Sequence, residues 1–317
     1  MKCAFGVDVG GTAIKIGLIG ADGSMPMKWE IPTRVDDTGS EVLPDIAEFV
    51  HARREELKNT YEIEGVGLGV PGPVDDRGLV VTSVNLHWKK PLDAAGVLSK
   101  LLEGLPVGVV NDANAAALGE AWLGAGRGAG EVVMVTLGTG VGGGVIHEGR
   151  IITGVQGAAG EIGHLCVNPK EVIPCNCGRC GCLEQYASAT GVVRLAWEAL
   201  AVSKKKSVLR QGPLTAKAVW DGVKAGDTLA IQVAEQFGFY LGWGLALVAG
   251  VLNPAVFVIG GGMSKAGEVM LPYIEKNYRA MALSASAHAK ICLATLGNDA
   301  GMFGAGRLML RTGEDRV

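Results

Sequence analysis

The pattern that most constrains this chain occurs twice. Near the start, GVDVGGTAIKIGLIGADGS (residues 6–24) runs apolar alternation into a glycine pair, resumes it, and breaks at a polar turn. From Glu131, EVVMVTLGTGVGGGVIHEGRI does the same. Each reads as strand, glycine turn, strand, turn, so two halves built on one plan are expected. A plain β-hairpin, with glycines supplying positive φ, accounts for either stretch alone. The acid Asp8 ahead of the first glycines, with Thr12 and Lys15 behind them, fits a second use. Here the amides of Gly10 and Gly11 and the Thr12 side chain clasp a phosphate, and Asp8 faces its metal.

In the second stretch Gly138, Gly140 and Gly143 fit G-x-G-x-x-G, a dinucleotide fingerprint only when a helix follows. Val145 and Ile146 lead instead into the turn His147-Glu148-Gly149, so a hairpin follows and a nucleotide-dependent dehydrogenase is set aside. No Gly-Lys-Ser/Thr is present, which removes a P-loop. Two glycine hairpins, one with Asp8 and one with Thr139, suit a nucleoside triphosphate gripped from both sides; two unrelated hairpins are the alternative.

Elsewhere the periodicity predicts strands over 3–9, 13–19, 25–31 and 63–70, and helices over 41–58 and 92–103. PVGVV reads as a short buried strand, and NDANAAALGEAWLG after it as an Ala-rich helix with a polar start. AVFVIGGGMS and KICLATLGNDAGMFGAGRL each suggest strand, turn and helix. The uncharged run 237–252 is interrupted by Gly238, Gly242 and Gly244. It is shorter than the roughly 20 apolar residues of a membrane span, so a buried core helix is expected. Asn111 and Asp112 stand at a strand-to-helix junction, where either caps the helix. A strand's carboxyl end is also where α/β sheets gather ligands, and Asp112 there would accept a proton from an attacking hydroxyl.

Five of the seven cysteines lie in GAAGEIGHLCVNPKEVIPCNCGRCGCLEQY, at 166, 175, 177, 180 and 182, with His164 just upstream. Met1-Lys2 leads straight into a strand pattern, without room for a signal peptide, so a cytoplasmic chain is expected. In that compartment clustered cysteines mean metal rather than disulfides, and four nitrogen or sulfur ligands mean zinc. Gly178 and Gly181 would let the loop turn sharply. Glu161 and Glu184 flank it, as pocket carboxylates or as ordinary surface charges. A net charge of −3 leaves no basic surplus for nucleic acid, and Lys204 to Lys206 read as a solvated segment. Forty-nine glycines in 317 residues indicate many tight turns and close backbone approaches.

DVGGTAIK, NDANAA, LGTGVGGG, GEIGH and CNCGRCGCLE stand in the order and spacing of the ROK family of sugar kinases and sugar-responsive repressors. The resemblance covers essentially the whole chain and is strongest to the family's bacterial glucokinases. It implies an α/β, actin-like ATPase (ribonuclease-H-like) fold of two α/β domains with a cleft between them. The smaller would hold residues 1–110 and 299–317 with the first phosphate loop, the larger residues 111–298 with the second phosphate loop and the zinc loop. It implies transfer of the ATP γ-phosphate to the 6-hydroxyl of glucose, with Mg2+ near Asp8 and Asp112 as general base. Asn85, Asn111, Asp112, Glu161, His164 and Glu184 would meet the sugar. Asp8, Gly10, Gly11, Thr12, Lys15, Gly138, Thr139, Gly140, Gly142, Gly261 and Gly262 would meet ATP. The family's zinc pattern falls on His164, Cys175, Cys177 and Cys182, with Cys166 or Cys180 as a possible substitute ligand. The long apolar helices suggest a homodimer, without nucleic-acid or membrane partners. A kinase for mannose, allose, fructose or N-acetylmannosamine shares these motifs. A non-catalytic sugar-sensing regulator would need a helix-turn-helix ahead of the first phosphate motif, where this chain has seven residues.

Overall fold

The structure, a computed structural model, describes residues 1–35, 38–75 and 77–310. The first glycine hairpin forms strands β1 (Lys2–Val9) and β2 (Ala13–Gly20), and β3 (Met27–Pro32) continues the meander. Helix α1 (Val42–Leu57) leads to β4 (Glu62–Val70). A two-stranded ribbon of β5 (Leu79–Val80) and β6 (Leu92–Asp93) precedes α2 (Ala94–Leu101), whose first turn is capped by Asp93 accepting from the Gly96 amide at 2.9 Å. The predicted helix over 92–103 is thus shortened at its start. β7 (Val107–Asn111) runs into α3 (Asp112–Trp122). The sheet order is β3-β2-β1-β4-β7, with β1, β4 and β7 parallel.

The second glycine hairpin forms β8 (Glu131–Leu137) and β9 (Val141–His147), followed by β10 (Arg150–Ile151). Helices α4 (Glu184–Ala187), α5 (Ala189–Val202), α6 (Ala216–Lys224) and α7 (Thr228–Leu252) come next. Then follow β11 (Val256–Gly260), α8 (Leu271–Met281), β12 (Lys290–Leu293) and α9 (Ala300–Met309). This sheet has the order β10-β9-β8-β11-β12. Numbered within each half, both orders read 3-2-1-4-5, the repeat that the paired glycine hairpins predicted.

By compactness the chain groups as residues 1–130, 144–160 and from 296 on, and as residues 131–143 with 161–295. The division expected from sequence fell at 110; α3 instead groups with the first sheet because it packs along α9 and β4. Residues 311–317 of the expected smaller domain lie outside the described residues. In the first unit Phe5, Val7, Ile14, Ile16, Leu68 and Val70 bury against Ile46, Val50 and Leu98. The sheet's other face is covered by α9 at unusually short range. A Cβ on Gly67 would lie 1.8 Å from the Ala305 carbonyl oxygen, and one on Gly304 would lie 1.7 Å from that of Ala115. Glycine at these points lets backbone press on backbone.

Helix α7 begins nine residues before the uncharged run that announced it, because Asp227 caps it, accepting from the Leu229 and Ala230 amides at 3.0 Å each. It ends on left-handed Asn253 (φ 44°) just before Pro254. Length and composition would let it cross a membrane. Val233, Phe237, Leu241 and Leu245 are nevertheless fully buried, as in a core helix.

Candidate active site and metal centre

In the first unit the strand register brings the sequence motifs to one edge. Asp8 is paired with Lys15 across β1–β2 and with Gly69 across β1–β4, while Val70 faces Asn111 across β4–β7. These positions lie at the carboxyl ends of three parallel strands, where such sheets bind ligands. Neither Gly10 nor Gly11 has positive φ, so the hairpin account of these glycines is corrected. The Gly10 amide donates to the Ala13 carbonyl at 3.0 Å, and a Cβ on Gly10 would lie 2.8 Å from that oxygen. Gly11 and Thr12 are exposed, and Asn85, in the turn 84–87, is the neighbour that a Cβ on Gly11 would touch, at 3.9 Å.

The two readings of the Asn111–Asp112 junction divide between the two residues. Asn111 is the cap: its Oδ1 accepts from the Ala113 and Asn114 amides at 2.9 and 3.2 Å, and its Nδ2 donates to the Gly72 carbonyl at 3.0 Å. Asp112, the first helical residue, accepts from the Ala113 amide at 2.9 Å. Its carboxyl has an open face to solvent but protein around most of it. Burial, with the nearby Asp8 charge adding to it, pushes the group up to about 6. Asp8 is also raised by burial, with Lys15 opposing. Gly301, in the first turn of α9, leaves room for Asp8, since a Cβ there would lie 2.9 Å from its Cγ.

In the second unit, residues 138–140 form the turn between β8 and β9, and a strand follows it, as predicted. The turn's carbonyls are held from the start of α5: Gly138 accepts from the Ala189 amide at 2.8 Å and Thr139 from the Thr190 hydroxyl at 2.9 Å. Thr139 itself is exposed, and Gly142 lies half-buried in β9. Gly261 (φ 83°) packs on the end of β8, where a Cβ would lie 2.5 Å from the Leu137 carbonyl oxygen; Gly262 faces open space. The 260–262 turn therefore lies beside the root of the second glycine loop.

The cysteine loop resolves the ambiguity that spacing left. Donor atoms of His164, Cys175, Cys177 and Cys182 all lie within 4.8 Å of one another, and Cys166 and Cys180 are exposed outside this group. Gly178 and Gly181 do take positive φ (83° and 75°), which folds the loop back on itself. Three sulfurs and an imidazole nitrogen at this range suit a single tetrahedral soft-metal site. The two thiols differ in their surroundings: the Arg179 backbone amide and guanidinium pull the Cys177 thiol down to about 6, whereas burial pushes that of Cys182 up to about 12. Glu161 and His164 sit in one turn, with the His164 amide donating to the Glu161 carbonyl at 3.1 Å. The Glu184 carboxylate accepts from the Val141 amide at 3.0 Å through one oxygen and meets the Cys175 thiol at 3.6 Å through the other.

One group carried no sequence signal. Glu171 accepts from the Tyr186 hydroxyl at 2.7 Å and from Arg194 at 2.8 Å, and Tyr186 stacks on Tyr240 with centroids 3.9 Å apart. Tyr186, followed by loop amides and Arg194, holds the Glu171 carboxyl down to about 2. The network frames the metal loop from outside; its members are separated in sequence, and only Arg194 lies at helical spacing from a neighbour it contacts, Glu198.

Similarity to known proteins agrees with this geometry. The ROK family matches over residues 4–312. A glucokinase from Halalkalibacterium halodurans is 45% identical over 314 residues, covering 96% of this chain and 94% of its own. The crystal structure of a ROK family glucokinase from Streptomyces griseus in complex with glucose and AMPPNP is 34% identical, covers 96% and 98% of the two chains, and superposes with a TM-score of 0.76. That of a ROK hexokinase from Thermus thermophilus is 33% identical, covers 96% of each chain and has a TM-score of 0.81. The chain, with its actin-like ATPase fold, belongs to the ROK family.

Proposed function

We propose that this chain is an ATP-dependent glucokinase. The observation that carries the reading is Asp112: a carboxyl at a strand's carboxyl end, raised to about 6 beside Asp8, is matched to accepting a proton near neutral pH. Asp112 takes the proton of the sugar 6-hydroxyl as its oxygen attacks the γ-phosphorus of ATP; the bond from that phosphorus to the β,γ-bridging oxygen breaks, and ADP leaves. Such transfer asks mainly for alignment and charge stabilisation. Thr12 and Thr139, with the glycine amides around them, hold the phosphates; the 261–262 turn receives the adenosine. Asp8 and Lys15 face the transferring phosphate, and Asp8, a half-buried carboxylate, suits Mg2+, which when bound neutralises the developing charge.

Asn85, Asn111, Glu161, His164 and Glu184 bind the sugar hydroxyls. A missing or inverted hydroxyl would leave a group that the bound sugar covers unpaired, at about 1–3 kcal/mol. His164, Cys175, Cys177 and Cys182 hold zinc, which supplies structural order to the loop carrying Glu184. The enzyme works in the cytoplasm. Phe239, Leu247 and Val251 are exposed along one side of α7 (40%, 41% and 84%), which supports a homodimer. A coupled ADP-release assay over glucose, mannose, allose, fructose and N-acetylmannosamine tests the reading. Glucose should give the highest kcat/KM; a preference for another sugar would move the assignment to that kinase, and no turnover at all would favour a sugar-sensing regulator.

A further inference from the structure

The metal loop and the second glycine loop are joined by one short segment, residues 182–190. At its start Cys182 belongs to the metal quartet. Two residues on, Glu184 accepts from the Val141 amide at 3.0 Å with one oxygen, while its other oxygen meets Cys175 of the same quartet at 3.6 Å. At its far end Ala189 and Thr190 hold the carbonyls of Gly138 and Thr139, at 2.8 and 2.9 Å. The fit around Glu184 is tight: a Cβ on Gly140 would lie 2.2 Å from its Oε2. The segment is thus fastened to the glycine loop at three points and to the metal site at two.

We infer that Glu184 is a positioning residue for the nucleotide loop, through which metal occupancy sets nucleotide affinity. This rests on the proposal that the 138–144 loop grips phosphates and that the quartet holds zinc. A filled quartet pins Cys182, two residues before Glu184, and turns Cys175 from a thiol that donates to Glu184 into a metal-bound thiolate, leaving the Glu184 carboxylate to the Val141 amide. Glu184 then holds Val141 and leaves only glycine room at 140. An empty quartet frees Cys182 and leaves the Cys175 thiol competing for the Glu184 carboxylate, so Glu184 and the amide it fixes gain freedom that phosphate binding must remove. The loop keeps its outer frame without metal, because the Glu171, Tyr186 and Arg194 contacts do not involve the quartet. The effect is therefore loosening at the glycine loop rather than unfolding.

The test is calorimetry of a non-hydrolysable ATP analogue with Mg2+ and no sugar. It is run on zinc-loaded protein and on protein stripped by chelator and dialysed, for the wild type, Glu184→Ala and Glu184→Gln, with metal content measured alongside. In the wild type, stripping should weaken nucleotide binding about tenfold, within the usual range of coupling between sites. Glu184→Ala should bind weakly in both states and lose the difference, and Glu184→Gln, which keeps an acceptor for Val141, should recover part of the affinity. A sugar ligand with no other role would leave sugar-free nucleotide binding unchanged in all three proteins. The inference is overturned if stripping changes the wild-type Kd less than twofold, or if the same drop persists in Glu184→Ala. Should zinc-loaded wild type bind no nucleotide, or the purified protein carry no metal, the assignment of the loops fails first and takes the inference with it.

Discussion

Replacing Asp112 by Asn should disable the enzyme and stabilise the fold at the same time. Folding raises this carboxyl from 3.8 to about 6, so the folded chain holds the proton more tightly than the unfolded chain does. The ionised form therefore costs stability: nothing at about pH 4 and below, and the full amount above about pH 6. Fully shielded, a gap of that size is worth about 3 kcal/mol. The open face of Asp112 screens it, leaving about 1 kcal/mol. Asn keeps an acceptor for the Ala113 amide, now 2.9 Å from Oδ1, and removes the charge. The variant should melt about 1–2 °C higher than wild type at pH 8, with the gain fading towards pH 4. Its kcat should fall by roughly 10²- to 10⁴-fold. In the wild type kcat/KM should drop below about pH 6, reaching about a tenth of its plateau at pH 5. Thermal melts and coupled ADP-release rates between pH 4.5 and 8 measure all three. A variant that keeps a tenth of normal kcat refutes the base assignment, and one no more stable than wild type at pH 8 refutes the burial argument.

Gly140→Val should weaken sugar and nucleotide binding together, because its side chain would strike Glu184, whose Oε2 a Cβ would approach to 2.2 Å; calorimetry showing loss of nucleotide alone would contradict this. Cys177→Ser should lose the metal and raise the sugar KM, whereas Cys180→Ser, outside the quartet, should keep about one zinc per chain by elemental analysis, with sulfur ligands near 2.3 Å. Glu171→Gln should cost on the order of 2 kcal/mol at pH 7, since the pair it breaks is partly buried. The wild-type carboxyl is held near 2, so this contribution is complete above about pH 4.5 and disappears as pH falls through about 2; denaturation curves with the same midpoint difference at pH 7 and pH 2 would rule it out.

Much of this protein is written locally. The two strand-turn-strand hairpins, helix α3 with its Asn111 cap and the turn at Gly178 and Gly181 each depend on neighbours a few residues away, so period and turn chemistry were enough to find them, whereas α5 and α6 were not read from the sequence. The repeat of one hairpin plan announced two similar halves; that their sheets share one strand order came from the fold. Even where local reading located a glycine, its reason needed the fold. Gly10 is glycine because of the Ala13 carbonyl rather than a positive φ, and Gly67 because α9 arrives from more than two hundred residues away. Spacing alone left six candidate donors in the cysteine loop, and only its folded path brought four of them together. The raised pKa of Asp112 comes from burial and from Asp8 on another strand, and the contacts of Glu184 from a loop 43 residues earlier. These are properties of where segments meet, set by long-range packing that no window of sequence contains.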